Sequence, residues 1–319
     1  MLTSMERQTI CVGLCTAGRR VMLEECLSSL LAQEGLDSFN VHFAIVDNND
    51  EPVAKPLVEE FAAQSAFPTH YVHEPKRGIP IARNRLVEVA LAVQADWIAF
   101  LDDDETAAPD WISALMKAAQ KYDADVVHGR VHRIFPNPPP FWAVQKKQKR
   151  KEGEVLKTSP TSNVIFSSWL IEADGLHLRF DENLRFTGGS DTAFFSAAHD
   201  DGVRIVYSRA PIVFEKVLSS RLSYKWQLAR SYRVGGNKAL RYRSKHGRVK
   251  AAVKMSPGIL IQLGRGVFQL LSAPVWFPVN RKRFKRVARQ GGSSVSSAIG
   301  KVAAFFSIYA QPYRKIDGH

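Results

Sequence analysis

With 319 residues, 45% hydrophobic and 24% charged, the chain can bury one large domain with a substantial appendage, and its composition excludes wholesale disorder. The net charge of +13 is unevenly placed: residues 1–215 hold 22 Lys and Arg against 30 Asp and Glu, a net of −8, whereas residues 216–319 hold 22 against the single acid Asp317, a net of +21. Such an asymmetry predicts a soluble catalytic body over 1–215 and a separate basic region over 216–319 built to meet something negative.

Residues 1–10 lack a basic segment followed by an apolar one, so no export signal is expected. Residues 9–14 are a short apolar run and predict the first strand, on which Cys11 and Cys15 read as small buried thiols. With Cys26 they form no CxxC pair and no zinc spacing, which points to a reducing, cytoplasmic compartment. A turn at 16–19 follows. Residues 22–33 then repeat Leu23, Cys26, Leu27, Leu30 and Leu31 at helical spacing. A strand at 41–46 ends in Asp47-Asn48-Asn49-Asp50, a helix is expected at 53–64, a strand at 69–73 and a helix at 79–93. The strand at 97–101 stops at Asp102-Asp103-Asp104-Glu105, Pro109 opens a helix reaching about residue 122, and 126–134 returns to strand. This alternation predicts βαβ units, an α/β fold with a mostly parallel mixed sheet. Polar clusters follow the strand C-termini, where open α/β sheets bind ligands. The proline run at 136–140 and the basic stretch at 146–151 predict a loop. Residues 164–171 and 203–207 read as strand or packed helix around a Gly-rich, acidic centre at 188–191. From Arg221 onward the chain is expected to be helical and basic, and no internal repeat is found.

The sharpest chemical signal is Ile98-Ala99-Phe100-Leu101-Asp102-Asp103-Asp104. A buried strand delivers like charges to its C-terminal edge, an arrangement a hard divalent cation relieves by neutralising them. The plainer reading is a solvated acidic turn. Asp47 likewise also reads as turn chemistry, Arg83 as a helix-surface residue and Asp191 as the cap of a helix starting at Thr192.

Taken in order, Thr16-x-x-Arg19 with the Leu/Cys/Ser pattern to Gln33, Val46-Asp47-Asn48, Gly78-x-x-x-Ala82-Arg83-Asn84, Phe100-Leu101-Asp102-Asp103-Asp104 and Gly188-Gly189-Ser190-Asp191-Thr192 resemble the motifs of family 2 glycosyltransferases over about residues 9–240. The likeness is to bacterial exopolysaccharide glucosyltransferases of the succinoglycan type. Ser190 stands where the family usually has Glu, and Ala17-Gly18 where Tyr-Asn is often seen. The resemblance implies a GT-A fold, an inverting mechanism, a UDP-sugar donor and Mn²⁺ or Mg²⁺. It implies donor contacts from Thr16, Arg19, Asp47 (to the uracil), Arg83, Asp102 (to the ribose) and Asp103. Asp104, with Asp102, would hold the metal, and Asp191 would be the general base. Trp226, Arg230 and Arg233 would line the acceptor and diphosphate site. The Gln-x-x-Arg-Trp motif of processive relatives is absent, which favours single additions over polymer synthesis.

Residues 256–279 interleave apolar side chains with few charges, interrupted by Arg265, Pro274 and Pro278, and Arg281-Lys282-Arg283-Phe284-Lys285-Arg286 follows at once. Apolar residues beside a polybasic run suit an interfacial helix on an anionic leaflet better than a spanning one. A second amphipathic helix is expected at 295–309. Nucleic acid, the rival anionic partner, is not expected, since no zinc finger, RRM signature or aromatic-basic stacking pattern accompanies the charge. The expected function is addition of one sugar to a lipid-linked or saccharide acceptor in bacterial surface polysaccharide synthesis, peripheral on the inner face of the plasma membrane. The alternatives are a nucleotidyltransferase of related fold and a non-catalytic membrane-associated scaffold.

Overall fold

The computed structural model describes residues 7–136, 150–185 and 187–308. Most of the proline run, the basic residues 146–149 and the end of the expected helix at 309 lie outside the described residues.

The chain opens as three strand–helix units, β1 (Gln8–Thr16), α1 (Arg20–Leu31), β2 (Phe39–Asp47), α2 (Lys55–Gln64), β3 (Thr69–His73) and α3 (Ile79–Ala92), followed by β4 (Trp97–Asp102). These strands pair in parallel in the order β3-β2-β1-β4. Register brings Thr16 opposite Asp47, and Cys15 opposite Asp102. Three strand ends thus release their polar loops along one edge. Then come β5 (Glu105–Ala107), α4 (Trp111–Tyr122), β6 (Val126–Ile134), β7 (Val155–Leu156), β8 (Val164–Ser167), α5 (Ser190–Asp200) and β9 (Ile205–Lys216). The sheet continues β4-β8-β6-β9-β5, with β8 and β5 antiparallel, β6 and β9 parallel, and β7 beside β9.

Each face of the sheet is dry. On one, α1, α2 and α4 pack Leu23, Leu27, Leu30, Phe61, Trp111 and Leu115 over it. On the other, α3 and α5 cover Phe100 and Phe166, and Phe180, Phe194 and Phe195 complete an aromatic cluster.

The expected alternation is present, with helix starts within about two residues of their sequence positions. Two strands differ. β5 follows the acidic cluster directly and was not expected, because its three residues carry no period. β9 runs on past the expected end at 207 through Arg209-Ala210-Pro211, a stretch that reads as a turn. A ladder irregularity between His128 and Arg130 absorbs it, held by Asn163 in a left-handed conformation (φ 53°). Its Nδ2 donates to the carbonyls of Arg130 (2.9 Å) and Pro211 (3.0 Å), and its Oδ1 accepts from Trp111 Nε1 (2.8 Å).

Past β9 the chain is helical: α6 (Tyr224–His246), α7 (Arg248–Ser272) and α8 (Arg281–Phe305). Glycines let the helices touch. A Cβ on Gly235 would lie 2.1 Å from the Ser297 carbonyl, and one on Gly300 would lie 2.0 Å from that of Tyr232. Pro257 sits inside α7, where a proline frees the carbonyl four residues back. The Ser256 hydroxyl donates to that Val253 carbonyl at 3.0 Å. The face of α7 turned inward is small, with Ala251, Ile259 and Gly266 buried. Its outer face exposes Leu260 (67%), Ile261 (72%), Phe268 (71%) and Leu271 (75%). The helix is apolar on the wrong side for water. Arg248–Trp276, at a mean hydropathy of 1.2, is one stretch among the described residues long and apolar enough to cross a membrane.

Candidate active site

The parallel edge collects an acidic cluster wrapped in arginines. Asp103, nearly buried, accepts from Thr16 Oγ1 (2.9 Å) and Arg19 Nη1 (3.0 Å), tying the loop after β1 to the end of β4. Asp104 pairs with Arg19 (3.1 Å) and Arg221 (3.2 Å), and Arg221 also reaches Glu215 (3.5 Å). Asp102 faces Arg83 at 3.9 Å and keeps 44% of its side chain exposed. Desolvation, and then Asp104 and Asp103 against the relief from Arg83, push Asp102 up to about 7. Desolvation and Asp104 push Asp103 up to about 6 against Arg19. Glu105, buried behind them, is raised well above the usual carboxylate range, first by burial and then by Asp102 and Asp104.

Arg83 joins this cluster to a second element. Its guanidinium stands against the Phe180 ring and donates from Nη1 to Ser190 Oγ (3.3 Å), at the first turn of α5. One side chain thereby spans from the carboxylates of β4 to the residue beside Asp191. The turn into α5 needs Gly189 at φ 96°, and Asn237 of α6 fixes it by donating to the carbonyls of Thr187 (2.9 Å) and Gly188 (2.8 Å). Asp191 lies in the first helical turn, where the positive end of the helix dipole favours its charge, and its Oδ1 accepts from the Thr192 N–H (2.7 Å).

The floor of the crevice comes from the loop after β2. Asp47 is fully buried: Oδ1 accepts from Asn49 Nδ2 (2.5 Å), and Oδ2 from the Ala54 N–H (2.7 Å) and the Tyr71 hydroxyl (3.1 Å). Asn48 donates to the Glu74 and Lys76 carbonyls and accepts from the Gly78 N–H (2.8 Å), holding the turn that starts α3. Gly78 has φ 149°, and a Cβ there would lie 2.9 Å from that of Arg185.

The carboxyl edge of a parallel sheet, here with carboxylates near a helix N-terminus, is where open α/β sheets bind ligands. The family model for glycosyl transferase family 2 matches residues 11–179, more than half of the chain. The chain belongs to glycosyltransferase family 2. It is 31% identical over 304 residues to the succinoglycan biosynthesis protein ExoM of Rhizobium meliloti (strain 1021), covering 91% of this chain and 92% of that one. It is 26% identical over 251 residues to a glucosyl-dolichyl phosphate glucuronosyltransferase of Haloferax volcanii, covering 72% of this chain and 76% of that one. In fold it is similar to the mannosyltransferase PcManGT from Pyrobaculum calidifontis in complex with GDP-Man and Mn²⁺, with a TM-score of 0.63 at 16% identity over 93% of this chain and 88% of that one. It is also similar to S. aureus TarS 1–349 in complex with UDP, with a TM-score of 0.54 at 16% identity over 98% of this chain and 95% of that one. The fold is the GT-A type that the motifs imply, and the protein is a glycosyltransferase.

Of the residues singled out in the transferase's sequence, Thr16, Arg19, Arg83, Asp102, Asp103 and Asp104 converge, and Arg83 links them to Ser190 beside Asp191. Asp47 lies at the same edge with its carboxylate spent on its own loop. Trp226 sits in the first turn of α6 with the Arg230 guanidinium 5.3 Å from its ring, and Arg233 follows one turn on. Arg221, three residues before α6, reaches the acidic cluster at Asp104. Glu105 was not singled out, though it had a signal as a fourth acid in the run; Arg221 was read only as the start of the basic helical region, and nothing near it in sequence points to Asp104.

Among the described residues no three His, Cys, Asp or Glu side chains form a protein-only metal cage. The donors at Asp102 and Asp104 are hard oxygens, which fit a divalent cation bound by one or two carboxylates together with substrate phosphates.

Proposed function

We propose that this transferase is an inverting, metal-dependent enzyme that moves one sugar from a UDP-sugar to a lipid-linked acceptor in surface polysaccharide synthesis. Residues 1–215 form its catalytic body, and 216–319 its acceptor- and membrane-facing region. The observation that carries the reading is Arg83, whose guanidinium reaches both Asp102 and Ser190 and so sets the carboxylate edge against the start of α5.

Asp102 and Asp104 would hold Mn²⁺ or Mg²⁺, which supplies charge neutralisation for the diphosphate leaving group. Asp102, Asp103 and Asp104 already face Arg19, Arg83 and Arg221, and burial shifts Glu105 toward its neutral form. The near balance of charge favours a cation that arrives with the anionic diphosphate over one bound alone. Arg19 and Arg83 are placed to hold diphosphate oxygens. Asp103 keeps the donor loop 16–19 in place. Asp47 acts by fixing the 48–54 turn that borders the base; a direct bond to uracil requires the Asn49 amide to swing off its Oδ1. Asp191 takes the proton of the acceptor hydroxyl as that oxygen attacks the anomeric carbon and the bond to the diphosphate breaks. One base and one stabilised leaving group suffice for inversion, so no covalent nucleophile is required.

The outward apolar face of α7 and the cations Arg281, Lys282, Arg283, Lys285 and Arg286 at the start of α8 support docking on an anionic cytoplasmic leaflet. Arg283 lies over Trp276 (3.3 Å) and Arg281 near Phe277 (5.4 Å), which keeps charge beside the apolar edge. Asn237 and Arg221 connect these helices to the site. The resemblance to ExoM along nearly the whole chain supports the exopolysaccharide setting.

The stereochemical test is proton NMR of the sugar released by slow hydrolysis of a UDP-sugar panel. Inversion predicts a first product with the anomeric configuration opposite to the donor's; a retained configuration refutes the mechanism. Vesicle sedimentation with and without anionic lipid tests the membrane part, which equal binding to neutral vesicles would contradict.

A further inference from the structure

The catalytic body is acidic overall, yet arginines collect at a place on it that the donor crevice does not use. Tyr207 of β9 stands in register with His128 of β6. Its side chain is fully buried, and its hydroxyl finds no hydrogen-bond partner among the described residues. The Arg150 guanidinium lies 5.7 Å from the Tyr207 ring centroid, and the His128 ring 5.9 Å from it. Arg130 is two residues along β6 from His128, on the same side of the sheet, since Val131 between Arg130 and His132 packs into the opposite core. Burial raises the Tyr207 pKa, and Arg130, Arg209 and Arg150 each draw it back down, so all three cations act on this phenol.

These three charges are answered only in part from within, because one carboxylate, Glu152, acts on the same phenol with the opposite sign. Arg130 and Arg150 make no ion pair among the described residues, and Arg209 spends Nη2 on the Arg150 carbonyl (2.9 Å). The neighbouring acid, Glu152, is occupied by the Tyr122 hydroxyl (3.0 Å), the Ser208 hydroxyl (2.8 Å) and the Arg209 N–H (2.7 Å). His128 offers no negative charge; burial and then Arg150 lower its pKa to about 4 and keep it neutral. Gathering guanidinium groups around an orphaned buried hydroxyl is costly unless something anionic completes the set. Arg130 and Arg150 are only half-buried and Arg209 is exposed, so a ligand can reach them.

The location names the ligand's role. Along this face of the sheet α3 packs on β1 and β2, α5 packs on Phe166 of β8, and the segment leading into β7 lies by β9. Arg83 meets the start of α5 at Ser190. The segment that begins at Arg150 passes through β7 to Thr158, whose hydroxyl donates to the Thr192 carbonyl (3.2 Å), one residue from Asp191.

We infer that Arg130, Arg150, Arg209 and the Tyr207 hydroxyl form a binding site for a phosphate group carried by the acceptor. Three guanidinium groups and a phenol offer more donors than the two oxygens of a carboxylate use, and they suit the several terminal oxygens of a phosphate. That the phosphate belongs to the acceptor rests on the proposed role of Asp191; the anion site itself does not.

The test is calorimetry on the full chain with UDP and Mn²⁺ saturating, so that the donor crevice is filled. Inorganic phosphate, dodecyl phosphate and sodium acetate are titrated into wild type, Arg130→Gln/Arg150→Gln and Tyr207→Phe. Both phosphates are expected to bind wild type more tightly than acetate, with the double variant weakened about tenfold or more and Tyr207→Phe by several-fold, each hydrogen bond to a charged group counting in that range. Dodecyl phosphate binding tighter than inorganic phosphate assigns the site to a lipid-borne group, and equal affinity assigns it to the phosphate alone. Equal phosphate binding by wild type and both variants, or acetate binding as tightly as phosphate, overturns the site. If the double variant fails to fold, Tyr207→Phe, which deletes only an unpartnered hydroxyl, decides the matter. Wild type that binds phosphate but not UDP would sink the donor reading and leave this site standing.

Discussion

Replacing Arg83 by Met should separate catalysis from folding. The guanidinium is 13% exposed, lies 3.9 Å from Asp102 and 3.3 Å from Ser190 Oγ, and stands against the Phe180 ring. At 3.9 Å and an effective dielectric near 20, its attraction to Asp102 is on the order of 4 kcal/mol before solvent acts. Asp102 is 44% exposed, so screening reduces the contribution to stability to about 1 kcal/mol, and methionine keeps the contact with Phe180. The catalytic loss is larger, because a preorganised donor facing developing negative charge contributes about 10²–10³-fold in kcat. Lysine can reach Asp102 or Ser190 but lacks the fork that reaches both, so Arg83→Lys should recover part of the rate and remain roughly tenfold below wild type. Turnover of the UDP-sugar that binds, measured as kcat and KM beside a thermal melt, gives both quantities on one sample. A folded Arg83→Met variant within twofold of the wild-type kcat would refute the bridging role.

Asp191→Asn should keep UDP affinity within about twofold and lose about 10²–10⁴-fold in kcat; undiminished transfer removes it as the base. Asn163→Ala removes three buried hydrogen bonds and orphans Trp111 Nε1, so urea unfolding should give a loss of about 3–5 kcal/mol, and a loss below about 1 kcal/mol would contradict its place in the ladder irregularity. His128 has its pKa lowered to about 4 by burial and by Arg150, against an ordinary value of 6.5. Between these values the unfolded His128 binds more proton than the folded one, so its own contribution to stability rises with pH from 4 to 6.5, by about 3 kcal/mol at most. Asp102, Asp103 and Glu105, all raised, act in the opposite sense in both proteins. The readout is therefore the difference in denaturation midpoint between wild type and His128→Gln, which should shift in favour of wild type as pH rises across that window; a difference that does not change with pH refutes the assignment to His128.

The parallel half of the sheet was legible because each of its strands is an apolar run that stops at a polar cluster, and each following helix repeats leucines or alanines at its own period. Register then carried those clusters to one edge, which is why Thr16, Arg19, Asp102, Asp103 and Asp104 lie together there. The antiparallel half was less legible. β5 is too short for a pattern, and β9 passes through a proline because Asn163, 48 residues away in sequence, supplies hydrogen bonds no local window contains. Arg221 belongs to the site through tertiary contact with Asp104, a relation spanning 117 residues. Asp47 reads from sequence either as turn chemistry or, by the resemblance, as a base contact; its three internal donors come from Asn49, Ala54 and Tyr71, and only the fold brings Tyr71 to it. The outward apolar face of α7 was visible as composition, but which side faces its neighbours is decided by where glycines allow the helices to close.

The most direct test of the donor site is calorimetric titration of UDP into the wild-type chain and Asp104→Ala, first with Mn²⁺ and then with EDTA. Wild type should bind UDP with Mn²⁺ and lose at least about tenfold in affinity with EDTA, Mn²⁺ without UDP should bind far more weakly, and Asp104→Ala should show little difference between the two conditions. UDP affinity that is the same with Mn²⁺ and EDTA, and the same in wild type and Asp104→Ala, would contradict a metal-assisted nucleotide-sugar site at the end of β4.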